Sequence, residues 1–96
     1  MNLDKAILEE IVEISKKHNE INKVILFGSR ARKDNGDRSD IDLAIYSEAS
    51  ISEFIEDIEN NTTTLLEFDF SDMKSVSDEL FINQVNKEGI IIYEKY

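Results

Sequence analysis

Short apolar runs alternate with amphipathic segments along the chain, and this alternation limits the folds that are open to it. The runs occupy residues 24–27, 41–46, 65–70 and 90–93. An apolar run of four to six residues that ends at a glycine or a polar turn is typical of a buried β-strand. We therefore predict four strands.

The segments between the runs have helical periodicity. In residues 3–18, isoleucine, leucine and valine recur every three or four positions with charged residues between them, which predicts an amphipathic helix. We predict further helices over residues 29–33 and 52–59 and from Ser77 to Gly89, with Leu80 among the inward residues and Gly89 at C′. Helices and strands in this order indicate an α/β (α+β) fold: a mixed four-stranded sheet with helices packed on it.

Length and composition limit the number of domains and the classes of site that the chain can have. Ninety-six residues suffice for one domain, spanning residues 1–96, with one modest core. The absence of cysteine excludes disulfides, zinc–thiolate sites and thiol nucleophiles. A formal charge of −10 argues against direct binding of a long nucleic acid, but not against a compact phosphate site.

Hydropathy gives an expectation for location. No apolar run approaches the ~20 residues that span a bilayer, and the N-terminus lacks the apolar core of a signal peptide. We expect a cytoplasmic protein that does not bind membranes; the oligomeric state stays open.

The first candidate site is Gly28-Ser29, where a predicted strand turns into a predicted helix. Such a turn directs backbone N–H groups at a phosphate, and glycine allows the close approach that this requires. The serine hydroxyl can add a donor. The alternative is an ordinary turn with Ser29 as the helix N-cap. The remaining glycines and the lysine of a P-loop are absent, which excludes that motif.

The second candidate is the pair Asp40 and Asp42 at the start of the second strand. Residues two apart in a strand point to the same face, so the two carboxylates lie side by side. Like charges in this position are unfavourable unless a cation lies between them, and oxygen ligands in an open site suit Mg²⁺. The alternative is a solvated strand end.

The third candidate is Asp69, which stands between Phe68 and Phe70 in the third strand. If this strand neighbours the second, three carboxylates converge, as two-metal phosphoryl transfer requires. Asp69 would then lie near the acceptor hydroxyl and help to deprotonate it. The alternative is that Glu67 and Asp69 form the polar face of a half-exposed strand.

Residues 27–32, a short turn and residues 39–43 together resemble the signature of the nucleotidyltransferase superfamily that shares the polymerase-β palm. The size and spacing are similar to those of the minimal nucleotidyltransferase (MNT) group, whose members lack a nucleic-acid-binding domain. Residues 68–73 and 88–94 also resemble the third-carboxylate segment and the last strand of that family. One position differs, because many relatives have glycine where this chain has Lys33.

The resemblance implies roles for particular residues. Gly28 and Ser29 would hold the triphosphate, while Asp40, Asp42 and Asp69 would act as catalytic residues and as ligands of two Mg²⁺ ions. Arg30 and Arg32 are further candidates for nucleotide binding. They belong to a basic cluster, completed by Lys33 and Arg38, that contains every arginine in the chain.

The resemblance also implies a function: Mg²⁺-dependent transfer of a nucleoside monophosphate, AMP from ATP, to a hydroxyl of a partner protein. MNT proteins are typically antitoxins of small helical HEPN ribonuclease toxins, so a HEPN-type toxin is the expected partner. Two alternatives stay open. The chain could be a catalytically idle antitoxin that acts by contact alone, or it could transfer the nucleotide to a small molecule.

Overall fold

Helices and strands alternate in the computed structural model, which describes residues 1–96. They are α1 Lys5–Lys17, β1 Ile21–Phe27, α2 Gly28–Arg32, β2 Ile41–Ser47, α3 Ser52–Asn61, β3 Phe68–Asp72, α4 Glu79–Glu88 and β4 Ile90–Glu94. None of the four helices is both long and apolar enough to cross a membrane.

The four strands form one mixed sheet in the order β3-β2-β1-β4. β1 pairs antiparallel with both β2 and β4, whereas β2 and β3 are parallel and are connected by α3. The predicted α+β fold with a mixed four-stranded sheet is confirmed.

Two hydrophobic clusters lie on opposite faces of this sheet. On one face α1 and α3 cover the larger cluster, in which alternate residues of β1 and β2 meet residues such as Ile11 and Phe54. On the other face α4 packs through Val85 onto Ile25 and Ala44. Side chains alternate between the two faces along a strand, and Leu43 and Phe70 pack in the first cluster. The preceding residues Asp42 and Asp69, the predicted site acids, therefore lie on the second face.

Several predicted boundaries were wrong at the ends of elements. β3 begins at Phe68 rather than at residue 65, and Leu65 is fully exposed, because the sheet register with β2 begins only at Phe68. Leu80, predicted to point inward, is 81% exposed. Asp78 caps α4 by accepting hydrogen bonds from the backbone N–H groups of Leu80 and Phe81, which sets the helix phase with Val85 inward.

The turns that follow α4 and α2 both differ from the sequence prediction. Gly89 does not adopt the left-handed conformation expected of it, whereas Lys33 adopts a conformation that favours glycine. Gly89 follows α4 in an extended conformation rather than a left-handed one, and a Cβ there would overlap the Val85 carbonyl and Ile25. Close packing is therefore the reason for this glycine. Lys33 has a φ of 69°, in the left-handed region that favours glycine. The turn after α2 thus keeps a geometry suited to glycine at a small conformational cost.

His18 and Asp57 join α1 to α3. His18 follows the last residue of α1, and its Nε2 lies 2.7 Å from Asp57 Oδ2. Asn61 also donates a hydrogen bond to Asp57, and Lys17 lies 3.7 Å away. Together these partners lower the pKa of Asp57, with the His18 hydrogen bond as the largest cause.

We expect Asp57→Asn to lower the free energy of unfolding at pH 7 by about 1 kcal/mol. Because the folded-state pKa of Asp57 is depressed, its stabilisation is complete above the unfolded value of 3.8 and is lost as the pH falls through the folded value. Urea unfolding between pH 7 and pH 2.5 measures this difference. The control is Glu56→Gln, because Glu56 is an exposed residue of the same helix. If Asp57→Asn lowers the free energy of unfolding at pH 7 no more than Glu56→Gln does, the prediction is contradicted.

Candidate active site

The end of β1 and the starts of β2 and β3 lie at the same edge of the sheet. The strand register places Phe27, the last residue of β1, opposite Asp42, and Asp42 beside Asp69. The turn at Gly28 and the acids of β2 and β3 thus form one row across three adjacent strands. The sequence predicted these residues but could not establish that β3 neighbours β2.

Gly28 packs against the carboxylate of Asp42. Its φ is +73°, a conformation that glycine adopts without strain, and a Cβ at this position would overlap Asp42 Oδ2. Glycine is required here for two reasons, backbone conformation and space. The glycine turn and the metal-ligand candidate of β2 are therefore parts of one site.

Asp42 is the site acid whose pKa is shifted by this arrangement. Partial burial raises the pKa of Asp42, and the negative charges of Asp69 and then Asp40 raise it further, while Arg32 and Arg30 oppose the shift. Asp42 therefore interacts with each of the other two carboxylates that the sequence singled out. A cation among them would relieve their repulsion.

The carboxylates are close enough to repel but do not form a preassembled metal cage. No group of three His, Cys, Asp or Glu side chains in the chain has an arrangement that could hold a metal ion. Asp40 and Asp69 are exposed, and Asp42 is half-buried. Hard oxygen donors at an open edge nevertheless fit Mg²⁺, which usually takes one or two carboxylates together with water and substrate phosphates.

The N-terminus of α2 is left without a side-chain cap. Phe27 is the N-cap residue, so Ser29 is not, contrary to the alternative considered for this turn. The Ser29 side chain makes no hydrogen bond within the chain and is half-buried. Its hydroxyl is therefore free to donate to a ligand at the Gly28 turn.

Arg30 is buried, with 6% of its surface exposed, and all three of its guanidinium nitrogens contact backbone carbonyl oxygens. Nε and Nη2 donate to Ser39 at 3.0 and 2.9 Å, Nη1 donates to Asn2 at 3.2 Å, and Nη2 is 3.4 Å from Asp37. The loop that ends at Asp40 is thereby attached to α2. Four of the five guanidinium N–H groups are used in these contacts, so only one, on Nη1, is left for a phosphate.

Arg32 lies at the edge of the site and is paired with acids. Its Nε lies 3.0 Å from Asp34 and its Nη1 lies 3.2 Å from Glu88, so it connects α2 to α4. The hydrogen bonds to Asp34 and then Glu88 raise the pKa of Arg32. A triphosphate that bound Arg32 would compete with two carboxylates.

Two features of the site escaped sequence reasoning. One is the attachment of the loop before Asp40 to Arg30. The partners of Arg30 are backbone carbonyls, which every residue has, so no residue type in the sequence identifies them. The other is a cavity of about 120 Å³ beside Gly28, between α2 and α4. Phe27 and Phe81 meet edge to face there at 5.6 Å. The apolar character of both residues was visible, but only the packing of α4 brings them together.

We expect Arg30→Ala to lower the free energy of unfolding by about 2–4 kcal/mol, because it leaves the carbonyl groups of Asp37 and Ser39 without their donor. Arg30→Lys should lose less, since an ammonium can satisfy some of these acceptors. Arg38→Ala is the control: Arg38 lies in the same segment but is exposed. Chemical denaturation of the three variants measures the differences, and equal stability of Arg30→Ala and Arg38→Ala would contradict this role.

We expect Asp42→Asn to stabilise the metal-free protein at pH 7. Because the folded-state pKa of Asp42 is raised, the folded protein binds its proton more tightly than the unfolded chain, and stability falls as the pH rises through that raised value. The gain from Asp42→Asn should therefore be largest at neutral pH and vanish below the unfolded value of 3.8. Thermal unfolding in EDTA between pH 3 and pH 8 measures it.

Asp37→Asn provides the control for this experiment, because Asp37 is an exposed aspartate of the adjacent loop. A loss of stability in Asp42→Asn at pH 7, or a gain that does not depend on pH, would refute the electrostatic account of the three acids.

Comparison with solved structures identifies similar folds. The chain is similar to a chain of a toxin–antitoxin complex with AMP-PNP, at a TM-score of 0.68 and 17% identity over 92% of this chain and 73% of that one. It is similar to a chain of a tri-AMPylated Shewanella oneidensis HEPN toxin complex with an MNT antitoxin (TM-score 0.67, 18% identity, 93% and 71% covered). A Sulfolobus solfataricus structure described as a nucleotidyltransferase gives a TM-score of 0.54 at 18% identity, with 99% and 93% covered.

At these identities the solved structures establish a shared fold. No curated protein sequence matches this chain. The sequence profile described as polymerase beta, nucleotidyltransferase, matches residues 9–96, which is nearly the whole chain and includes every residue of the candidate site. The chain therefore belongs to the polymerase beta nucleotidyltransferase family.

Proposed function

We propose that this chain transfers AMP from ATP to a hydroxyl of a partner protein, and that the partner is a HEPN-type toxin for which the chain is the antitoxin. One observation carries the proposal: Gly28 packs against Asp42, and Asp42 is paired with Asp69, so a turn suited to phosphate adjoins a row of acids. A phosphate site beside clustered carboxylates is the arrangement that nucleotidyl transfer requires.

The Gly28 turn is proposed to hold the triphosphate. Gly28 has a positive φ at the start of α2, and the unpaired Ser29 hydroxyl lies next to it. Asp42 Oδ2 fills the space that a Cβ of Gly28 would take, so a phosphate at this turn would lie beside that carboxylate with a cation between the two charges. Arg30 supports this site indirectly by holding the loop that carries Asp40.

The acids are proposed to hold Mg²⁺ together with the nucleotide. Asp40, which precedes β2, and Asp42 in β2 would be ligands, and Asp69 would be a ligand from β3. Mg²⁺ held by these carboxylates would supply charge neutralisation at the phosphates. The exposed carboxylate of Asp69 lies on the far side of Asp42 from Gly28, where it can accept the proton of an approaching hydroxyl.

A protein acceptor fits the openness of the site. Asp40 and Asp69 are exposed, so a surface of another protein can approach these carboxylates. Two of the similar structures are described as a toxin–antitoxin with AMP-PNP and as a tri-AMPylated HEPN toxin with an MNT antitoxin. Those descriptions support the same pairing for this chain.

Incubation of the chain with α-labelled ATP, MgCl₂ and the product of the neighbouring gene tests the proposal. We expect label on the partner and release of pyrophosphate. Asp40→Asn and Asp42→Asn should reduce the rate by on the order of 10²-fold or more, because charge neutralisation at the phosphates is lost. Asp37→Asn should transfer at the wild-type rate.

The same experiment separates the proposal from its alternatives. If the Asp40 and Asp42 variants neutralise the toxin fully and no label appears in the wild type, the chain acts by contact alone. If label appears only on an added small hydroxyl compound, the partner assignment is wrong. Either outcome would contradict the proposed function.

A further inference from the structure

The loop that leads to Asp40 begins at a very short helix. Residues 33–40 connect α2, which has only five residues, to the start of β2. A helix of this length is not stable by itself, so α2 and the loop depend on contacts with the rest of the chain. The Gly28 turn lies at the start of α2 and Asp40 lies at the end of the loop, and both therefore depend on these contacts.

Hydrogen bonds within the loop close its last residues into a turn. The backbone N–H of Gly36 donates to Ser39 Oγ at 2.9 Å, and the backbone N–H of Ser39 donates to the Gly36 carbonyl at 3.3 Å. Nε and Nη2 of Arg30 donate to the carbonyl of Ser39, the residue before Asp40. A movement of this turn would therefore move Asp40.

Asn2 attaches both α2 and this loop to the segment before α1. Its backbone N–H donates to the Arg30 carbonyl at 2.9 Å, and its own carbonyl accepts from Arg30 Nη1 at 3.2 Å. Its side-chain Nδ2 donates to Asn35 Oδ1 at 3.0 Å, and Asn35 Nδ2 donates to the Gly36 carbonyl at 3.0 Å. One residue thus contacts both α2 and the loop that leads to Asp40.

The residues that follow Asn2 fix its position. Leu3 packs against the larger hydrophobic cluster, and Asp4 caps α1 by accepting a hydrogen bond from the backbone N–H of Ala6 at 2.8 Å. The Arg30 carbonyl belongs to the last turn of α2, where carbonyls have no partner within the helix, so the Asn2 N–H satisfies it. Asn2 therefore connects the start of α1, which is fixed to the core, with the edge of the sheet that carries the site.

We propose that Asn2 is a positioning residue for the Mg²⁺–nucleotide site, and that it acts through Asn35 and Arg30 to hold the Asp40 loop against α2. This inference rests on the proposed function, in which Asp40 is a metal ligand. Groups that orient a ligand without touching the metal affect the affinity of a metal site. Asn2 lies outside residues 9–96, which match the family profile, so the match to the family does not include this contact.

Replacement of the Asn2 amide by an apolar group of similar size tests the proposal. Asn2→Leu removes the bond to Asn35 and leaves the backbone bonds to Arg30, while Asn35→Ala removes the same side-chain bond from the other partner. The control is Asn86→Leu, because Asn86 is an exposed asparagine of α4.

Three quantities are measured for the single variants and for the double variant at Asn2 and Asn35. They are the dissociation constant of AMP-PNP with MgCl₂ present, the exchange rate of the Gly36 amide hydrogen in the ligand-free protein, and the free energy of unfolding. The exchange rate reports on the loop without any ligand, because the Gly36 amide donates to Ser39 Oγ within the turn.

We expect Asn2→Leu to raise the dissociation constant of Mg·AMP-PNP by about three- to tenfold, the loss that one hydrogen bond causes. The Gly36 amide should exchange faster than in the wild type, while the free energy of unfolding should match that of Asn86→Leu, because Asn2 is exposed. The double variant should bind no more weakly than Asn35→Ala alone, since both changes remove the same bond.

Failure of the inference and failure of the proposed function give different results. If Asn2→Leu and Asn86→Leu bind Mg·AMP-PNP equally, or if the effects of Asn2→Leu and Asn35→Ala on binding add in full, Asn2 does not position the site and the proposed function stands. If the wild-type protein does not bind Mg·AMP-PNP, the proposed function is wrong and the positioning role is wrong with it.

Discussion

The hydrogen-bonded position of β2 between β1 and β3 is the constraint on which the rest of the site depends. Antiparallel pairing with β1 puts Asp42 against the turn that follows Phe27, and parallel pairing with β3 puts Asp69 on its other side. A shift of either register by one residue would turn these side chains to the opposite face of the sheet. The core residues Leu26 and Leu43, both fully buried, oppose such a shift because it would expose them.

The repulsion among the site acids lowers the stability of the folded protein without ligand, and a bound cation would offset this loss. Burial and two neighbouring acids raise the pKa of Asp42, so the ionised form that can bind a cation is the form the apo protein disfavours. The buried Arg30 is used on backbone carbonyls rather than on these acids. A site with this charge pattern is expected to bind a cation together with a polyanion. The carboxylates need the cation, and the uncapped start of α2 suits the polyanion.

The fold could be predicted from hydrophobic periodicity because each strand and helix has a clear apolar face. The ends of elements could not, since they depend on tertiary partners: Leu65 looks like the start of a strand, but the register with β2 begins three residues later. The parallel pairing of β2 with β3, which decides whether Asp69 joins the site, is likewise invisible in local sequence.

The candidate site could be predicted in part because carboxylates and a glycine turn have a recognisable spacing. The contacts of the arginines could not be. Sequence reasoning assigned Arg30 and Arg32 to the nucleotide, whereas Arg30 donates to three backbone carbonyls and Arg32 is shared between Asp34 and Glu88. Their contact with nucleotide stays a prediction, and the paired acids show what a phosphate would have to displace.

The central claim is that the Gly28 turn and the acids of β2 and β3 form one nucleotide site. Titration of the ¹⁵N-labelled protein with AMP-PNP in the presence and absence of MgCl₂, followed by amide chemical shifts, tests it most directly. We predict Mg²⁺-dependent shifts concentrated at Gly28, Ser29 and Asp42, with smaller changes at Asp69. Shifts that cluster away from this edge of the sheet, or no binding with Mg²⁺ present, would contradict it.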